Sequence, residues 1–273
     1  MEKNVDIKWY QTIDSTNTQA AREMSQAAEG TVWIADFQTA GRGQRGNKWE
    51  SKPAENLTFS ILFKPTFLSP AQQFAISQVA AIGVCRYLCN KGLPAQIKWP
   101  NDIYIGNKKI CGMLIEHSIS GDKLSASIIG IGLNLNQREF MSDAPNPTSL
   151  LLETAAAASA GAASVSVPEG TYDRREELSS LLGYIFTAYE ELEEGFAKEL
   201  NQEYLDCLYR LNQWHQFMEI DANAPADMPV EKMVAGRTIT ARITGVDPYG
   251  CVILEHQDGT VQTYPFKGIR YVL

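Results

Sequence analysis

The sequence predicts an α+β fold with a large first domain and a small β domain after it. In the first half of the 273 residues, short runs of β-branched and aromatic residues alternate with helical patterns. A long amphipathic helical pattern follows, from Leu178 to Leu211. After a break at Ala222–Pro229 the pattern becomes strictly β, which favours a small barrel. We therefore expect domains at residues 1–221 and 222–273.

The predicted strands of the first domain are rich in Ile, Val, Phe, Tyr or Trp. These residue types pack well on a pleated, half-buried surface. The predicted strands are Ile7–Ile13, Thr31–Phe37, Leu57–Phe63, Gln96–Trp99, Ile103–Ile105, Ile110–Ile119 and Leu124–Asn134.

Capping-type residues mark the starts of two predicted helices in this domain. One helix should follow Asp14–Asn17 and end at Gly30. The other should begin after Ser69, where Gln72 completes a capping box, and end at Gly92.

The rest of the chain combines a low-complexity stretch, a long helical pattern and short strands. Ala155–Pro168 is rich in Ala, Ser and Gly, which indicates either a loop or a weak helix. Gly195 should divide the amphipathic pattern into two helices. The Asp258-Gly259 pair predicts a hairpin turn in the second domain. Its predicted strands are Arg237–Val246, Cys251–His256, Thr260–Phe266 and Gly268–Leu273.

Composition excludes several classes of function. A net charge of −8 gives no general attraction for nucleic acid, whose binding requires cations that displace counterions. No apolar run is long enough to cross a membrane, and the N-terminus lacks the apolar region of a signal peptide. The five cysteines are scattered, as are the three histidines, so neither a protein-built zinc site nor a histidine-based triad is expected. We expect reduced cysteines and a cytoplasmic location.

The segment Gly41-Arg42-Gly43-Gln44-Arg45-Gly46-Asn47-Lys48-Trp49 is the strongest indication of a binding site. Glycines let a backbone approach a ligand closely, and arginine side chains present planar donors suited to carboxylate and phosphate. Such a loop is suited to wrapping a small anion. The alternative interpretation is a solvated basic turn.

Three other segments carry chemistry. Asp14–Asn17 offers hydroxyls and free N–H groups at a helix start, although simple capping explains it equally well. Lys98-Trp99-Pro100-Asn101-Asp102 packs charged and polar groups around an interruption in a strand, unless it is a solvated turn. Gly130–Asn136 has two glycines that would let a ligand lie flat against a strand. The cations of these segments could neutralise a triphosphate and a carboxylate together; they are Arg42, Arg45, Lys98 and Lys109.

With these four segments in this order, the sequence resembles the biotin–protein ligase family. The resemblance covers nearly the whole chain. The Lys-Trp-Pro-Asn-Asp element is the most specific match. The resemblance implies the α+β fold shared with class II aminoacyl-tRNA synthetases, with a C-terminal SH3-like barrel. The first strand is predicted close to residue 1, so we expect the ligase-only type, without a DNA-binding domain.

The resemblance also implies the role of each site residue. Lys109 and Arg42 would act as the catalytic cations on biotin and ATP, with Mg²⁺ carried mainly by the ATP phosphates and no certain protein metal site. The implied biotin-binding residues are Ser15, Thr16, Asn17, Gln38, Gly41, Arg42, Gly43, Gln44, Gly112, Gly130 and Gly132. The implied ATP- or adenylate-binding residues are Arg42, Arg45, Trp49, Lys98, Asn101, Asp102, Lys109 and Asn134.

The implied reaction forms biotinyl-5′-AMP and then transfers biotin to a lysine of a biotin carboxyl carrier protein. Relatives in this family often dimerise through the main sheet, so either a monomer or a homodimer fits the resemblance. Gln44 departs from the arginine that many family members have at this position, which removes one charge from the loop. Two alternatives are a lipoate– or octanoate–protein ligase and a non-catalytic biotin-binding regulatory module.

Overall fold

The computed structural model describes residues 5–44, 47–141, 146–162, 165, 167–220, 234–266 and 268–272. A seven-stranded mixed sheet, in the order β1-β2-β3-β7-β6-β5-β4, dominates the first part of the chain. Only β1 and β2 pair in parallel within it. Its strands are β1 Ile7–Ile13, β2 Val32–Gln38, β3 Leu57–Phe63, β4 Ala95–Lys98, β5 Asp102–Ile105, β6 Lys108–Ser120 and β7 Lys123–Leu133. The predicted strands of this domain are confirmed, and their ends differ from the prediction by at most two residues.

Helices cover both faces of this sheet. The helices are α1 Thr16–Glu23, α2 Phe74–Asn90, α3 Leu150–Ser159, α4 Arg174–Glu193 and α5 Ala197–Asp206. Apolar residues of one sheet face form the main core with α2 and α4, because successive strand residues point to opposite faces. The other face forms a smaller cluster beneath α1, which includes Ala20, Trp33, Leu62 and Ile128.

Local sequence signals predicted some helix boundaries correctly and one wrongly. The Ser69–Gln72 capping box is present, although it closes a short 3₁₀ turn that leads into α2. Gly195 separates α4 from α5 with a φ of +97°, a left-handed conformation that glycine adopts without a steric cost. The prediction that the first helix extends to Gly30 is wrong, because the backbone at Gln26 and Ala27 turns back onto the carbonyl of Glu23.

A second sheet, of five antiparallel strands, has the order β11-β10-β9-β8-β12. Its strands are β8 Trp214–Ile220, β9 Val234–Val246, β10 Val252–His256, β11 Val261–Tyr264 and β12 Ile269–Tyr271. The sequence did not predict β8, which pairs with both β9 and β12. The expected domain boundary between residues 221 and 222 lies outside the described residues and stays a prediction.

Candidate ligand site

The candidate site is a cavity on the α1 face of the large sheet. Along β3, this face presents Leu62, then Ser60, then Thr58, and the paired positions on β7 include Gly130 and Gly132. Apolar side chains therefore give way to small ones along the sheet. The space that they leave is a cavity with a volume of about 210 Å³.

Most of the predicted site residues line this cavity. The predicted residues in its wall are Thr16, Asn17, Gln38, Arg42, Gly43, Gln44, Trp49, Asn101, Asp102, Lys109, Gly112, Gly130 and Gly132. Ser15, Gly41, Lys98 and Asn134 are not part of the wall. Arg45 lies outside the described residues.

A hydrogen-bond network fixes the polar floor of the cavity. Gln38 Oε1 accepts from the backbone N–H of Thr16 at 2.7 Å and from its hydroxyl at 3.2 Å. The Ser60 hydroxyl lies 2.8 Å from the Thr16 hydroxyl and 2.6 Å from Asn17 Oδ1. These groups are buried or half-buried, so the network holds the floor in one arrangement. Ser15 begins α1 without making a side-chain capping bond, so simple capping does not explain its side chain.

Glycines on β6 and β7 allow side chains to lie directly on the sheet. A Cβ added to Gly130 would overlap the carboxamide of Asn17, and one added to Gly132 would overlap the indole of Trp49. A Cβ at Gly112 would lie 3.0 Å from the same indole and 3.3 Å from Lys109 Nζ. The indole of Trp49 therefore rests on backbone at two neighbouring strands, as the glycine pattern predicted for a flat ligand.

The glycine–arginine loop folds back over the cavity. The N–H of Gly43 donates to the carbonyl of Asn47 at 2.7 Å, and the N–H of Trp49 donates to the carbonyl of Gly41 at 3.1 Å. A Cβ at Gly41 would come within 2.6 Å of the Trp49 carbonyl oxygen, so this turn requires glycine. Arg42, next to Gly41 in this loop, forms a bidentate pair with Glu116, at 3.0 and 2.7 Å.

The pairing of Arg42 indicates what this side chain can bind. Two parallel N–H···O bonds to a carboxylate are the arrangement that a guanidinium prefers. Both partners are partly exposed, with 44% and 40% of their side-chain surfaces accessible, so an anionic ligand can compete with Glu116 for Arg42. Glu116 also accepts from Asn17 Nδ2 at 2.8 Å, which connects the loop to the floor.

A second cation, Lys109, also lines the cavity. Lys109 Nζ forms an ion pair with Asp102 at 2.6 Å and lies 5.8 Å from the centre of the Trp49 ring. Asn101 holds β5 to β6 because its side-chain amide donates to the carbonyl of Met113 at 2.5 Å, and its own carbonyl accepts from the Met113 N–H at 3.0 Å. The positions of Asp102 and Lys109 are therefore fixed by strand pairing.

Lys98 lies away from the cavity wall. Its Nζ donates to the Tyr104 hydroxyl at 3.1 Å and lies 4.8 and 5.1 Å from the ring centres of Tyr104 and Tyr271. Burial lowers the pKa of Lys98. Asn134 also points elsewhere, because its buried amide donates to the Thr148 carbonyl at 2.9 Å.

Sequence reasoning assigned no site role to five polar residues: Asn47 and Lys48 in the glycine–arginine loop, and Thr58, Ser60 and Glu116 outside it. Thr58 and Ser60 interrupt the apolar strand Leu57–Phe63 at alternate positions, which placed them together on one face. That spacing was a usable signal. Glu116 gave no local signal, because only the fold brings it to Arg42. In the described part of the chain, no group of three His, Cys, Asp or Glu side chains is arranged to hold a metal.

Residues 9–134 match the model of the Biotin/lipoate A/B protein ligase family. These residues form a biotin/lipoate protein ligase family domain. Every residue of the cavity wall falls inside this domain.

The family domain is similar to curated relatives over part of their length. The chain is 37% identical to the bifunctional ligase/repressor BirA of Bacillus spizizenii over 133 residues, which cover 47% of the chain and 40% of that protein. It is 35% identical to the biotin–[acetyl-CoA-carboxylase] ligase of Paracoccus denitrificans over 125 residues, which cover 45% of the chain and 51% of the relative. The matches therefore span about half of each relative or less.

The fold extends beyond the family domain. The structure of a biotin protein ligase from Aquifex aeolicus, in complex with biotin and ATP, superposes with a TM-score of 0.72 at 25% identity. That comparison covers 98% of this chain and 99% of the Aquifex protein.

Proposed function

We propose that this protein activates biotin with ATP and transfers it to a lysine of a biotin carboxyl carrier protein. The observation that supports this most is the arrangement of the cavity within the family domain. Two separate cations, Arg42 and Lys109, line the same cavity as the fixed polar floor. Two ligands together would match this cavity: a small acid with a polar head group, and a nucleotide that supplies a phosphate.

The floor would receive the polar ring of biotin. Thr16, Asn17 and Gln38 supply hydroxyl and amide groups that can pair with a ureido ring. Gly130 and Gly132 would give the ring system close access to the sheet once the indole of Trp49 moves aside, which would place Trp49 over the adenylate.

The two cations would act on the first reaction. A biotin carboxylate oxygen attacks the α-phosphorus of ATP, an anhydride bond forms, and the α–β phosphate bond breaks to release pyrophosphate. Two anions must approach each other, so fixed positive charge lowers the barrier. Lys109 would lie at the reacting carboxylate and α-phosphate, and Arg42 would exchange Glu116 for the ligand anion.

The second reaction needs no further cofactor. The neutral amine of an acceptor lysine attacks the acyl carbon of biotinyl-5′-AMP, the C–O bond to the phosphate breaks, and AMP leaves as an amide forms. The loop segment Gly41–Gln44 would cover the anhydride and exclude water until the carrier arrives. Gln44 would hydrogen-bond the adenylate without adding charge, so Gln44→Arg should slow biotinyl-AMP release.

Several finer features belong to the same proposal. We assign the large sheet to the class II synthetase-like fold and the second sheet to an SH3-like barrel. Mg²⁺ would enter with ATP, bound mainly by its phosphates. The scattered cysteines support a cytoplasmic location, and the large sheet would carry a homodimer contact. In the described residues, no helix has the length and hydropathy required to span a membrane.

Transfer to a carrier domain tests this proposal. The protein, ATP, Mg²⁺ and biotin are incubated with an isolated biotin carboxyl carrier domain. The mass of the carrier is then measured by mass spectrometry. We expect one biotinyl group on native carrier and none on a carrier whose acceptor lysine is replaced by arginine. Octanoyl or lipoyl attachment in place of biotin, when all three acids compete, would favour the lipoate-ligase alternative.

A further inference from the structure

Two polar atoms in the cavity wall have no hydrogen-bond partner. Among the described residues, only five buried side-chain nitrogen or oxygen atoms lack one, and two of these are Thr58 Oγ1 and Trp49 Nε1. Both residues line the cavity. Buried polar groups are usually paired, so an unpaired group in a cavity wall indicates a partner that arrives from outside the chain.

The fold brings these two atoms to the same part of the wall. Thr58 on β3 is directly opposite Gly132 on β7, and side chains at paired positions lie on the same face. A Cβ at Gly132 would be 2.6 Å from Trp49 Nε1. The hydroxyl and the indole N–H therefore flank one glycine.

The neighbouring hydroxyl on the same strand behaves differently. Ser60, two residues along β3, is fully buried and has both Thr16 and Asn17 as partners. Thr58 is only 6% exposed and has none. Ser60 thus belongs to the structure of the floor, whereas the Thr58 hydroxyl is left available.

We propose that Thr58 is a ligand-binding residue whose hydroxyl donates to an acceptor oxygen of the bound acid. An indole N–H can only donate, and a threonine hydroxyl can donate as well as accept. A carbonyl or carboxylate oxygen is the group that pairs with a hydroxyl donor, and Thr58 can make this bond whether the indole of Trp49 stays on Gly132 or moves aside. This inference rests on the proposed function for the identity of the acid, biotin.

Isothermal titration with biotin tests the role of Thr58 through Thr58→Val and Thr58→Ser. Valine keeps the shape but removes the hydroxyl, so biotin should bind about three- to tenfold more weakly. Serine keeps the hydroxyl and should bind within about twofold of the native chain. Because the hydroxyl has no partner in the protein, Thr58→Val should unfold at the same temperature as the native chain or higher.

Three results would overturn the proposed role of Thr58 in ligand binding. Equal or tighter binding by Thr58→Val would overturn it, as would a loss of affinity in Thr58→Ser that matches the loss in Thr58→Val. A valine variant that fails to fold would also overturn it, since the hydroxyl would then have a structural role. Failure of the native chain to bind biotin would instead reject the proposed function.

Discussion

The two ends of the segment Lys98–Asp102 face different parts of the molecule. Lys98 and Trp99 face the second sheet. The Trp99 indole donates to the Gly250 carbonyl at 2.8 Å, and its ring packs edge-on against Phe266 at 5.6 Å. Asn101 and Asp102 face the cavity.

The difference shows that one short motif has two tasks. The first end attaches the large sheet, which carries the site, to the second sheet. The second end fixes Lys109, the lysine that would meet both substrates. Burial separates the two ends, since Trp99 is 2% exposed whereas the Asp102 side chain retains 19% exposure beside Lys109. We therefore expect changes at the first end to alter stability, and changes at the second end to alter catalysis.

Lys109→Ala should have the largest effect. It removes the cation from the reacting centre, so kcat for adenylate formation should fall by at least about 100-fold. Biotin affinity should change by no more than about threefold if Lys109 acts mainly in the transition state. Single-turnover formation of biotinyl-AMP and titration with biotin measure the two quantities. Lys108→Ala is the adjacent control, and near-normal turnover of Lys109→Ala would reject this role.

Trp99→Phe should reduce stability at the opposite end. It removes the hydrogen bond to Gly250 and leaves a cavity against Phe266, so the free energy of unfolding should fall by about 2–3 kcal/mol. Chemical denaturation measures the loss, with Trp214→Phe, an exposed tryptophan on the second sheet, as the control. A loss of turnover in fully folded Trp99→Phe would show that the two ends are not separate.

Asp102→Asn should affect catalysis by a smaller factor than Lys109→Ala. The ion pair at 2.6 Å orients the lysine, and its loss should lower kcat about tenfold because a charge-assisted bond is removed. Stability should stay close to that of the native chain. Asp122→Asn, at an exposed carboxylate in the turn between β6 and β7, controls for loss of charge alone. An unchanged kcat in Asp102→Asn would contradict the assignment.

Lys98→Met should have the smallest effect, and that effect should depend on pH. The cage of Tyr104 and Tyr271 keeps Lys98 off the cavity wall, so the KM for ATP should change by less than about threefold. A clear rise in KM would instead support direct binding of ATP by Lys98.

The sign of the pH effect follows from burial. Burial lowers the pKa of Lys98 below its usual value of 10.5, so the folded protein holds that proton less tightly than the unfolded chain. The cost of burying the charge is present in full below the folded pKa and disappears as the pH rises towards 10.5. The native chain should thus gain stability relative to Lys98→Met over that interval. Lys98→Arg does not titrate there and should show no such gain.

Much of the site could be predicted because its signals are local. Glycine spacing indicated the close approach at Gly130 and Gly132, and runs of β-branched and aromatic residues correctly predicted the seven strands of the large sheet. Strand β8 was missed because Phe217 is its only buried residue, which leaves no clear apolar alternation.

The contacts that could not be predicted join distant parts of the chain. Glu116 reaches Arg42 across 74 residues, and Trp99 reaches Gly250 across 151. A residue pattern shows which strand face a side chain occupies but not which domain covers that face. This is why Lys98 was predicted to be a site cation, whereas its contacts with Tyr104 and Tyr271 could not be predicted.

Exchange of labelled pyrophosphate into ATP tests the central claim most directly, because it reports the first reaction without any carrier. The native protein is assayed with biotin, with lipoate and with neither acid. We predict exchange that depends on biotin alone and is lost in Lys109→Ala. Exchange with lipoate but not with biotin, or no exchange by a protein that binds biotin, would contradict the account.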